Sequence, residues 1–325
     1  MRSATIWSKR RAEIGLKTQI PALGCDLARR KCLLRQEFAM SEGPDYHVSI
    51  GDDVLHVVEQ GDGLPVLVPT GGGSRFYRNT FSSHLTQSLR LIYVSMRGTD
   101  GSSGSVENLS FVSMADDLDR VRDALGCERI VVLGHSNHGC IAMEYARRHP
   151  QHTLAVLPIA TTPDFTRSFS LGLERFEKEA TTAQRANLAR RREEFEALDK
   201  SKLDPDEVAI RNYVSLSPLG WRDLSLDIFA LWGGIPTGAA AYLQALGKFG
   251  PTWNFVPHLH EIDVPVLVIS GRYDYLCPVE LWIESLHELP YGRLEVFESS
   301  AHNPQFEESD HFDSIVIDFV RANSA

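Results

Sequence analysis

The stretch GHSNHG, residues 134 to 139, places a serine between the apolar run IVVL and a segment of helical character that Pro150 ends. A serine in a sharp strand-to-helix turn can act as a nucleophile when a histidine takes its proton and an acid orients that histidine. Ser136 is therefore the candidate nucleophile. A glycine-flanked serine is a weak signal by itself, because such serines also populate ordinary turns.

Two further residues are candidates for the orienting acid and for the histidine that takes the serine proton. Asp274 follows the apolar run VPVLVIS, in GRYDYLCP, and His302 follows RLEVFES, in SSAHNPQFEE. All three residues come just after the end of a predicted strand, which is where open parallel sheets build their sites. Their joint placement predicts a catalytic triad of Ser136, Asp274 and His302. Asp164, which follows TLAVLP, is an alternative acid.

Acyl transfer also needs backbone N–H groups aimed at the negative charge that develops on the substrate, and one such donor contributes about 3 kcal/mol. The N–H of Asn137, directly after the serine, is one candidate. The other is expected from the loop PTGGGSRF, in which three glycines let the backbone approach a substrate closely. This loop continues into neither GxxxxGK[ST] nor GxGxxG, so it is a weak candidate for phosphate binding.

The elements that must position these residues alternate along the chain. Predicted strands are YHVSI, VLHVVEQ, PVLVP, RLIYVSM, RIVVLG, TLAVLP, VPVLVIS and RLEVFES, with helices at about 75–88, 113–126 and 138–149, after Pro278, and at the C-terminus. Apolar runs of this kind are typical of strands buried on both faces. Alternating strands and helices predict a mostly parallel sheet flanked by helices. The helical segment 163–256 interrupts a core of residues 40–162 and 257–325 as a predicted cap.

These motifs together resemble the α/β-hydrolase superfamily, and within it the branch of proline iminopeptidases and related esterases. The resemblance extends from about residue 45 to the C-terminus and is carried by PTGGG, MRGTDGSSG, GHSNHG, GRYDYLCPVE and SSAHNPQFEE. It implies an α/β-hydrolase fold with Ser136 as nucleophile, Asp274 as acid and His302 as general base. It also implies that Gly72 and Asn137 form the oxyanion hole, with Gly71 as the neighbouring candidate.

Two positions depart from the family pattern. Thr70 stands where a histidine is usual, so the hydrogen bonding of the glycine loop must differ. His138 stands where the family has a small residue, because the turn brings strand and helix backbones close together. We expect His138 and Thr70 to border the pocket, and a structurally neutral substitution at His138 is the other interpretation.

Other polar residues have simpler interpretations. His258 and His260 in PHLHEI have no third metal ligand nearby in the sequence, which favours surface or core-edge histidines over a metal site. His311 lies in the predicted last helix and is expected to be structural. The acidic run with Glu193, Glu194 and Glu196 could recognise an amine, but a charge run on a helix is usually a solvated face.

The predicted reaction is hydrolysis of an ester or of an amide or peptide bond in a small substrate, through an acyl-enzyme and without metal or organic cofactor. The cap aromatics are expected to roof an apolar pocket, or else to form an ordinary cap core: Phe165, Phe169, Trp221, Phe229, Trp232, Tyr242 and Trp253. Alternatives are a cofactor-free C–C hydrolase or lyase, and a binding module that has lost turnover.

Composition limits the partners. The chain of 325 residues carries a formal net charge of −10, which disfavours nucleic acid, and no apolar run is long enough to cross a membrane. Five cysteines without a CxxC pair suggest neither a zinc site nor a disulfide framework, and favour a cytoplasmic location. Homo-oligomerisation stays open. The basic residues 1–39 are expected to be a disordered leader or an over-extended start, with a targeting segment as the alternative.

Overall fold

Eight strands form one sheet in this computed structural model, which describes residues 43–324. The strands are β1 (Asp45–Ser49), β2 (Val54–Gln60), β3 (Leu64–Thr70), β4 (Leu89–Ser95), β5 (Ile130–His135), β6 (Thr153–Ile159), β7 (Val266–Gly271) and β8 (Gly292–Phe297). Their spatial order is β1-β2-β4-β3-β5-β6-β7-β8. Strand β2 pairs antiparallel with β1 and β4, and all other neighbours are parallel.

Helices connect the strands and cover the sheet. They are α1 (Arg75–Thr80), α2 (Ser83–Ser88), α3 (Phe111–Ala124), α4 (Asn137–Arg148), α5 (Phe165–Glu179), α6 (Thr182–Glu196), α7 (Pro205–Ser215), α8 (Ile228–Leu231), α9 (Ala239–Phe249), α10 (Glu280–Ser285), α11 (Pro304–Glu307) and α12 (Ser309–Ala322). Short 3-10 turns lie at Pro150–His152, Lys200–Lys202, Ser217–Leu219, Gly250–Thr252, Val256–Glu261 and Leu286–Glu288. The predicted α/β class and mostly parallel sheet are confirmed.

The sheet forms the middle layer of the core. Strands β5 and β7 are buried along their whole length, as their continuous apolar runs predict. On one face, α3 presents Met114, Leu118 and Val121, which recur at helical spacing and are fully buried. On the other face, Phe312 and Val316 of α12 pack in a second apolar cluster. The carboxyl ends of the parallel strands therefore share one edge, where their following loops meet.

Five helices, α5 to α9, lie between β6 and β7. Their segment begins and ends close together, since Asp164 forms an isolated β-bridge with Asn254. This bridge closes the predicted insertion at its base. The division of the chain into core and cap stays a prediction. The expected leader, residues 1–39, lies outside the described residues.

None of the helices in residues 43–324 combines the length and apolar character that crossing a membrane requires.

Candidate active site

Ser136 lies at a strained turn between β5 and α4. Its backbone has φ 57° and ψ −131°, a conformation that residues other than glycine rarely adopt and that costs on the order of 1–3 kcal/mol. Two main-chain contacts hold it, because its N–H donates to Ile159 O at 2.8 Å and its C=O accepts from Gly139 N at 3.0 Å. The Thr161 hydroxyl donates to the same carbonyl at 2.7 Å. The turn leaves Ser136 partly exposed at the end of the strand.

Gly134 packs against main chain and Gly139 against the Thr161 side chain at this turn, while the His138 ring lies between Tyr77 and Tyr242. A Cβ on Gly139 would lie 1.8 Å from Thr161 Oγ1, and one on Gly134 would lie 2.2 Å from the carbonyl oxygen of His138. The main chain of His138, and not its ring, therefore occupies the crowded position. The histidine is compatible with the turn for this reason.

The predicted acid and base are in direct contact. His302 Nδ1 lies 2.7 Å from Asp274 Oδ2, and both side chains are almost wholly buried. The second carboxylate oxygen, Oδ1, accepts the N–H groups of Leu276 at 2.8 Å and Cys277 at 2.9 Å. Because both oxygens are engaged, the carboxylate has a fixed orientation. It can accept the Nδ1 proton of His302, which leaves Nε2 for proton transfer.

His135, which the sequence analysis did not single out, links the serine turn to the histidine loop. Its Nε2–H donates to the carbonyl oxygen of His302 at 2.7 Å, and the two ring centroids lie 4.9 Å apart. Burial, and then the neighbouring His302, lower the pKa of His135 well below its usual value. A neutral ring can donate through Nε2 while Nδ1 faces the Tyr77 hydroxyl at 3.5 Å. The residue before Ser136 thus holds the loop that carries the candidate base.

The candidate oxyanion donors lie beside side chains from the inserted segment. The Tyr242 hydroxyl donates to Asn137 Oδ1 at 2.8 Å, and a Cβ on Gly71 would lie 2.1 Å from Tyr242 Cε1. A Cβ on Gly72 would lie 3.1 Å from Trp232 Cζ3. Asn137 is the first residue of α4, where backbone N–H groups lack intrahelical partners. Backbone donors and two aromatic rings therefore meet next to the serine turn.

Sequence comparison identifies the fold family. The profile of the alpha/beta hydrolase fold matches residues 65–309 of the chain. The chain belongs to the α/β-hydrolase family. This hydrolase is 29% identical over 270 residues to the AB hydrolase superfamily protein YclE of Bacillus subtilis, covering 82% of this chain and 94% of that relative.

Two further relatives carry more specific names. A 2-hydroxy-6-oxo-6-phenylhexa-2,4-dienoate hydrolase of Comamonas testosteroni is 24% identical over 285 residues, with 84% of this chain and 93% of the relative covered. A proline iminopeptidase of Heyndrickxia coagulans is 24% identical over 284 residues, with 81% and 93% covered. The solved structure of an α/β fold family hydrolase from Bacillus anthracis has a TM-score of 0.67 at 18% identity, covering 86% of this chain and 99% of that one, which supports the fold.

The two residues expected at the pocket differ in placement within this α/β hydrolase. Thr70 is fully buried, and its hydroxyl lies 3.4 Å from Val94 O and 3.5 Å from Ser95 Oγ. It therefore contacts β4. His138 is buried between two tyrosines: Nδ1 lies 3.0 Å from the Tyr77 hydroxyl, and its ring stacks at 5.9 Å from that of Tyr242. His138 Nε2 has no hydrogen-bond partner among the described residues.

The alternative acid has a structural partner of its own. Asp164 caps helix α5, where its Oδ1 accepts the N–H and hydroxyl of Thr166 at 2.9 and 2.5 Å. Its carboxylate is thus used in capping, whereas Asp274 contacts the histidine. This geometry favours Asp274 as the acid.

The remaining histidines of the sequence analysis lie at the surface. His258 pairs with Glu261 at 2.6 Å, His260 is exposed, and His311 lies 3.7 Å from Glu295. Among residues 43–324, none of the three belongs to a group of three or more side chains that could hold a metal ion. The exposure of His258 and His260 agrees with the surface or core-edge positions expected for them.

The acidic run on α6 pairs with neighbouring cations. Glu194 contacts Arg190 at 2.6 Å and Glu196 contacts Arg192 at 2.7 Å, and both acids are exposed, as is Glu193. These i,i+4 pairs are typical of a solvated helix face.

The aromatic residues of the inserted segment do not act as one roof. Trp232 and Tyr242 contact the glycine loop, as described above. Phe165 and Trp253 instead pack against Phe111 of the core, and the Arg211 guanidinium lies 4.8 Å from the ring centre of Phe229. Trp221 packs against Phe306, while Phe169 is 58% exposed. For most of the set the packing fits the alternative of ordinary core packing, because several rings fill the interface with the core.

Glu307 is a second supporting group that sequence reasoning missed. Its carboxylate accepts the N–H of Arg222 at 2.6 Å and that of Ala301 at 2.6 Å, so it ties the inserted segment to the loop before His302. Burial raises its pKa to about 8. An acidic residue next to a predicted loop is too common a pattern to reveal this role.

A metal ion is a weak fit to the triad region. Asp274, Cys277 and His302 lie close enough to share an ion. However, burial raises the pKa of the Cys277 thiol well above its usual value, and thiolate is the form that binds metals. The carboxylate of Asp274 is also fully engaged by hydrogen bonds. The arrangement suits proton transfer better than metal binding.

Proposed function

We propose that this protein is a serine hydrolase that cleaves an ester or an amide or peptide bond of a small substrate through an acyl-enzyme. The observation that carries the proposal is the pairing of His302 with Asp274 at 2.7 Å beside a strained Ser136 turn. His135, directly before Ser136, links the serine turn to the loop that carries His302 by its hydrogen bond to His302 O. A nucleophile, a base and an orienting acid are the requirements of this chemistry.

In the proposed mechanism, Ser136 Oγ attacks the carbonyl carbon while His302 Nε2 takes the hydroxyl proton. Asp274 stabilises the imidazolium that forms. The backbone N–H groups of Asn137 and Gly72 stabilise the negative charge on the carbonyl oxygen. Collapse of the tetrahedral intermediate expels the leaving group, which receives the proton from His302. A water molecule, deprotonated by His302, then attacks the acyl-enzyme. The carboxylic acid product leaves, and Ser136 regains its proton from His302.

The relatives support this chemistry without selecting a substrate, because one fold hosts many activities. The proline iminopeptidase relative favours an amide bond. A solved esterase from Thermogutta terrifontis shares the fold. The aromatic rings of Trp232 and Tyr242 beside the glycine loop favour a substrate with an apolar group near the scissile carbonyl.

Hydrolysis of a C–C bond is the second candidate. The observation in its favour is the relative named as a dienoate hydrolase, which covers 84% of this chain. On this scaffold the triad would act mainly as acid and base, and no acyl group would remain on Ser136. The two candidates therefore differ in a species that can be detected directly.

Acid-quench mass spectrometry tests the proposal. The wild type is mixed with p-nitrophenyl esters, a proline p-nitroanilide and a 2-hydroxy-6-oxo-dienoate, and is analysed both for product and for covalent mass on the peptide that carries Ser136. We expect turnover of an ester or anilide with transient acylation of Ser136. Ser136→Ala should abolish both, while Ser170→Ala, at an exposed serine of α5, should change neither. Dienoate cleavage without a covalent adduct would instead select the second candidate.

A further inference from the structure

Two histidines and an aspartate converge at the edge of the sheet opposite the serine turn. Asp119 lies on α3, His149 directly follows α4, and His152 directly precedes β6. The Ser136 turn follows the carboxyl end of β5, whereas His152 stands at the amino end of the neighbouring parallel strand. This Asp119–His149–His152 cluster is thus separate from the proposed active site.

The three side chains point their ligand atoms at one another. His152 Nδ1 lies 2.8 Å from Asp119 Oδ1, and His149 Nδ1 lies 3.7 Å from Asp119 Oδ2. The two imidazole rings are nearly parallel, at 6° and 6.2 Å between centroids. Ligand atoms about 2.0–2.2 Å from a shared zinc ion are about 3–3.5 Å apart. The observed separations bracket that range.

A second carboxylate orients one of the histidines. His149 Nε2 lies 2.9 Å from Asp116 Oδ1, so the ring can donate its Nε2 proton there and present the Nδ1 lone pair to Asp119. Arg148 holds Asp116 in turn through two bonds of 2.8 Å. A histidine that ligates a metal nearly always donates its other N–H to a carboxylate, carbonyl or water. His149 already has this arrangement.

The ligating carboxylate is also held from outside the cluster. Tyr145 Oη donates to Asp119 Oδ1 at 3.1 Å, and Arg122 Nε donates to the same oxygen at 2.7 Å. Together with His152 they place three donors on Oδ1, whereas Oδ2 faces His149. Arg122 also adds positive charge beside the cluster, which would weaken the binding of a cation without blocking Oδ2.

Solvent can reach the cluster. All three side chains are partly exposed, and Asp119 and His152 border a cleft of about 560 Å³ whose wall includes Ser49, Gly51 and Arg120. An ion with three protein ligands needs room for water at its remaining positions. The cleft supplies that room.

We propose that Asp119, His149 and His152 form a binding site for a divalent transition-metal ion of the Zn²⁺ type. Imidazole ligands suit Zn²⁺, Ni²⁺ and Cu²⁺, and zinc sites also accept Asp or Glu oxygens. The bound ion replaces the hydrogen bond between His152 Nδ1 and Asp119, and the neutral ring then carries its proton on Nε2. The ion joins α3 to the α4–β6 connection, and it stabilises the folded state increasingly as its free concentration rises above its dissociation constant. This site is independent of the proposed hydrolytic function.

Metal titration of the full chain tests the site. Zn²⁺ is titrated against a chelating dye, and Co²⁺ is titrated while its visible d–d absorption is recorded. We expect one site in the wild type, with affinity reduced at least 10-fold in His149→Asn and in His152→Asn. Asp116→Asn, which removes the orienting carboxylate, should weaken binding by about 10–100-fold. His258→Asn is the matched control, because His258 also pairs with a carboxylate at 2.6 Å but belongs to no metal-capable group among residues 43–324.

The spectrum separates this site from the cysteines. Binding at Cys277 or at either cysteine of residues 1–42 would give a near-ultraviolet thiolate-to-Co²⁺ band, whereas two histidines and an aspartate give none. Circular dichroism melts of the metal-free variants confirm that each is folded before titration. Failure of the wild type to bind, or unchanged binding in the His149→Asn/His152→Asn double variant, would overturn the proposal.

Discussion

His138 occupies a position where the family has a smaller residue, and two features of its side chain make this compatible with a folded site. Its ring lies between Tyr77 and Tyr242 and away from the crowded strand-helix crossing. Burial lowers its pKa to about 4. The ring is therefore neutral at physiological pH and adds no positive charge beside Ser136.

This shift predicts a pH dependence of stability. Between about pH 6.5 and pH 4, the unfolded chain binds a proton on His138 that the folded chain does not bind, so the free energy of unfolding falls as the pH is lowered. The loss of stability due to His138 is small above about pH 6.5 and reaches roughly 3 kcal/mol by pH 4. His138→Gln should therefore lose less stability than the wild type over this interval.

Urea unfolding of both proteins at several pH values between about 4.5 and 7.5 measures the difference. An equal pH slope in wild type and variant would show that His138 is not buried in a neutral form. Absolute stability is not the readout, since glutamine also changes the packing between the two tyrosines.

Residue types and their spacing nominate the candidate triad, but they do not reveal the residues that support it. Ser136, Asp274 and His302 are candidates because each follows a predicted strand. His135 was not singled out, although it directly precedes Ser136, because its bond to His302 joins residues 167 positions apart. No local pattern encodes such a contact. Tyr242 lies in a helix whose docking on Gly71 is likewise set by tertiary packing.

At the scale of elements, strands were predicted more accurately than helix ends. The predicted helix 75–88 is two helices, because Phe81 is extended and Ser82 caps α2 by accepting from the N–H of His84 and Leu85. The predicted last helix also divides, at Glu308, whose carboxylate bonds Ser299 and Ser300 of the histidine loop. Long apolar strands depend on burial alone, whereas the break at Ser82 depends on a local helix cap and the break at Glu308 on side-chain bonds to another segment.

The packing of α4 against the strand-helix crossing predicts a contrast between two helical glycines. A Cβ at Gly139 would lie 1.8 Å from Thr161 Oγ1, whereas a Cβ at Gly247 in α9 would meet nothing within 4 Å. Gly139→Ala should destabilise the protein by about 1–3 kcal/mol through overpacking. Gly247→Ala should stabilise it by up to about 1 kcal/mol through helix propensity.

Urea unfolding at neutral pH measures both changes. Equal effects of the two substitutions would contradict the close approach at Gly139. Since Thr161 also donates to Ser136 O, Gly139→Ala should in addition reduce activity, and Gly247→Ala should not.

At the scale of the whole molecule, α5 attaches the inserted segment to the loop that carries Asp274. Arg175 bonds Glu280 at 2.9 Å and the carbonyl oxygen of Arg272 at 2.9 Å, and only 9% of its side chain is exposed. Nearby, Ser168 Oγ donates to Leu276 O at 2.9 Å. The position of Asp274, the candidate acid, therefore depends on contacts made by helix α5 of the inserted segment.

Loss of this attachment should be measurable. Arg175→Gln should lower the free energy of unfolding by about 1–3 kcal/mol, because it breaks charged hydrogen bonds in a nearly buried place. Arg167→Gln is the matched control on the same helix, since Arg167 pairs with Glu284 while both side chains are 54% exposed. Exposed pairs contribute about 0–1 kcal/mol. Similar destabilisation by both variants in urea unfolding would contradict the anchoring role of Arg175.

Covalent labelling by a fluorophosphonate, read by intact mass and peptide mapping, tests the central claim most directly. The reagent modifies a serine that a histidine has activated. The account predicts one adduct, on Ser136, that disappears in Ser136→Ala and His302→Ala and is strongly slowed in Asp274→Asn. Asp164→Asn, which changes the helix-capping acid, should label at the wild-type rate. Absence of an adduct in folded wild-type protein, or labelling that survives His302→Ala unchanged, would contradict the proposed triad and bring forward a binding module without turnover.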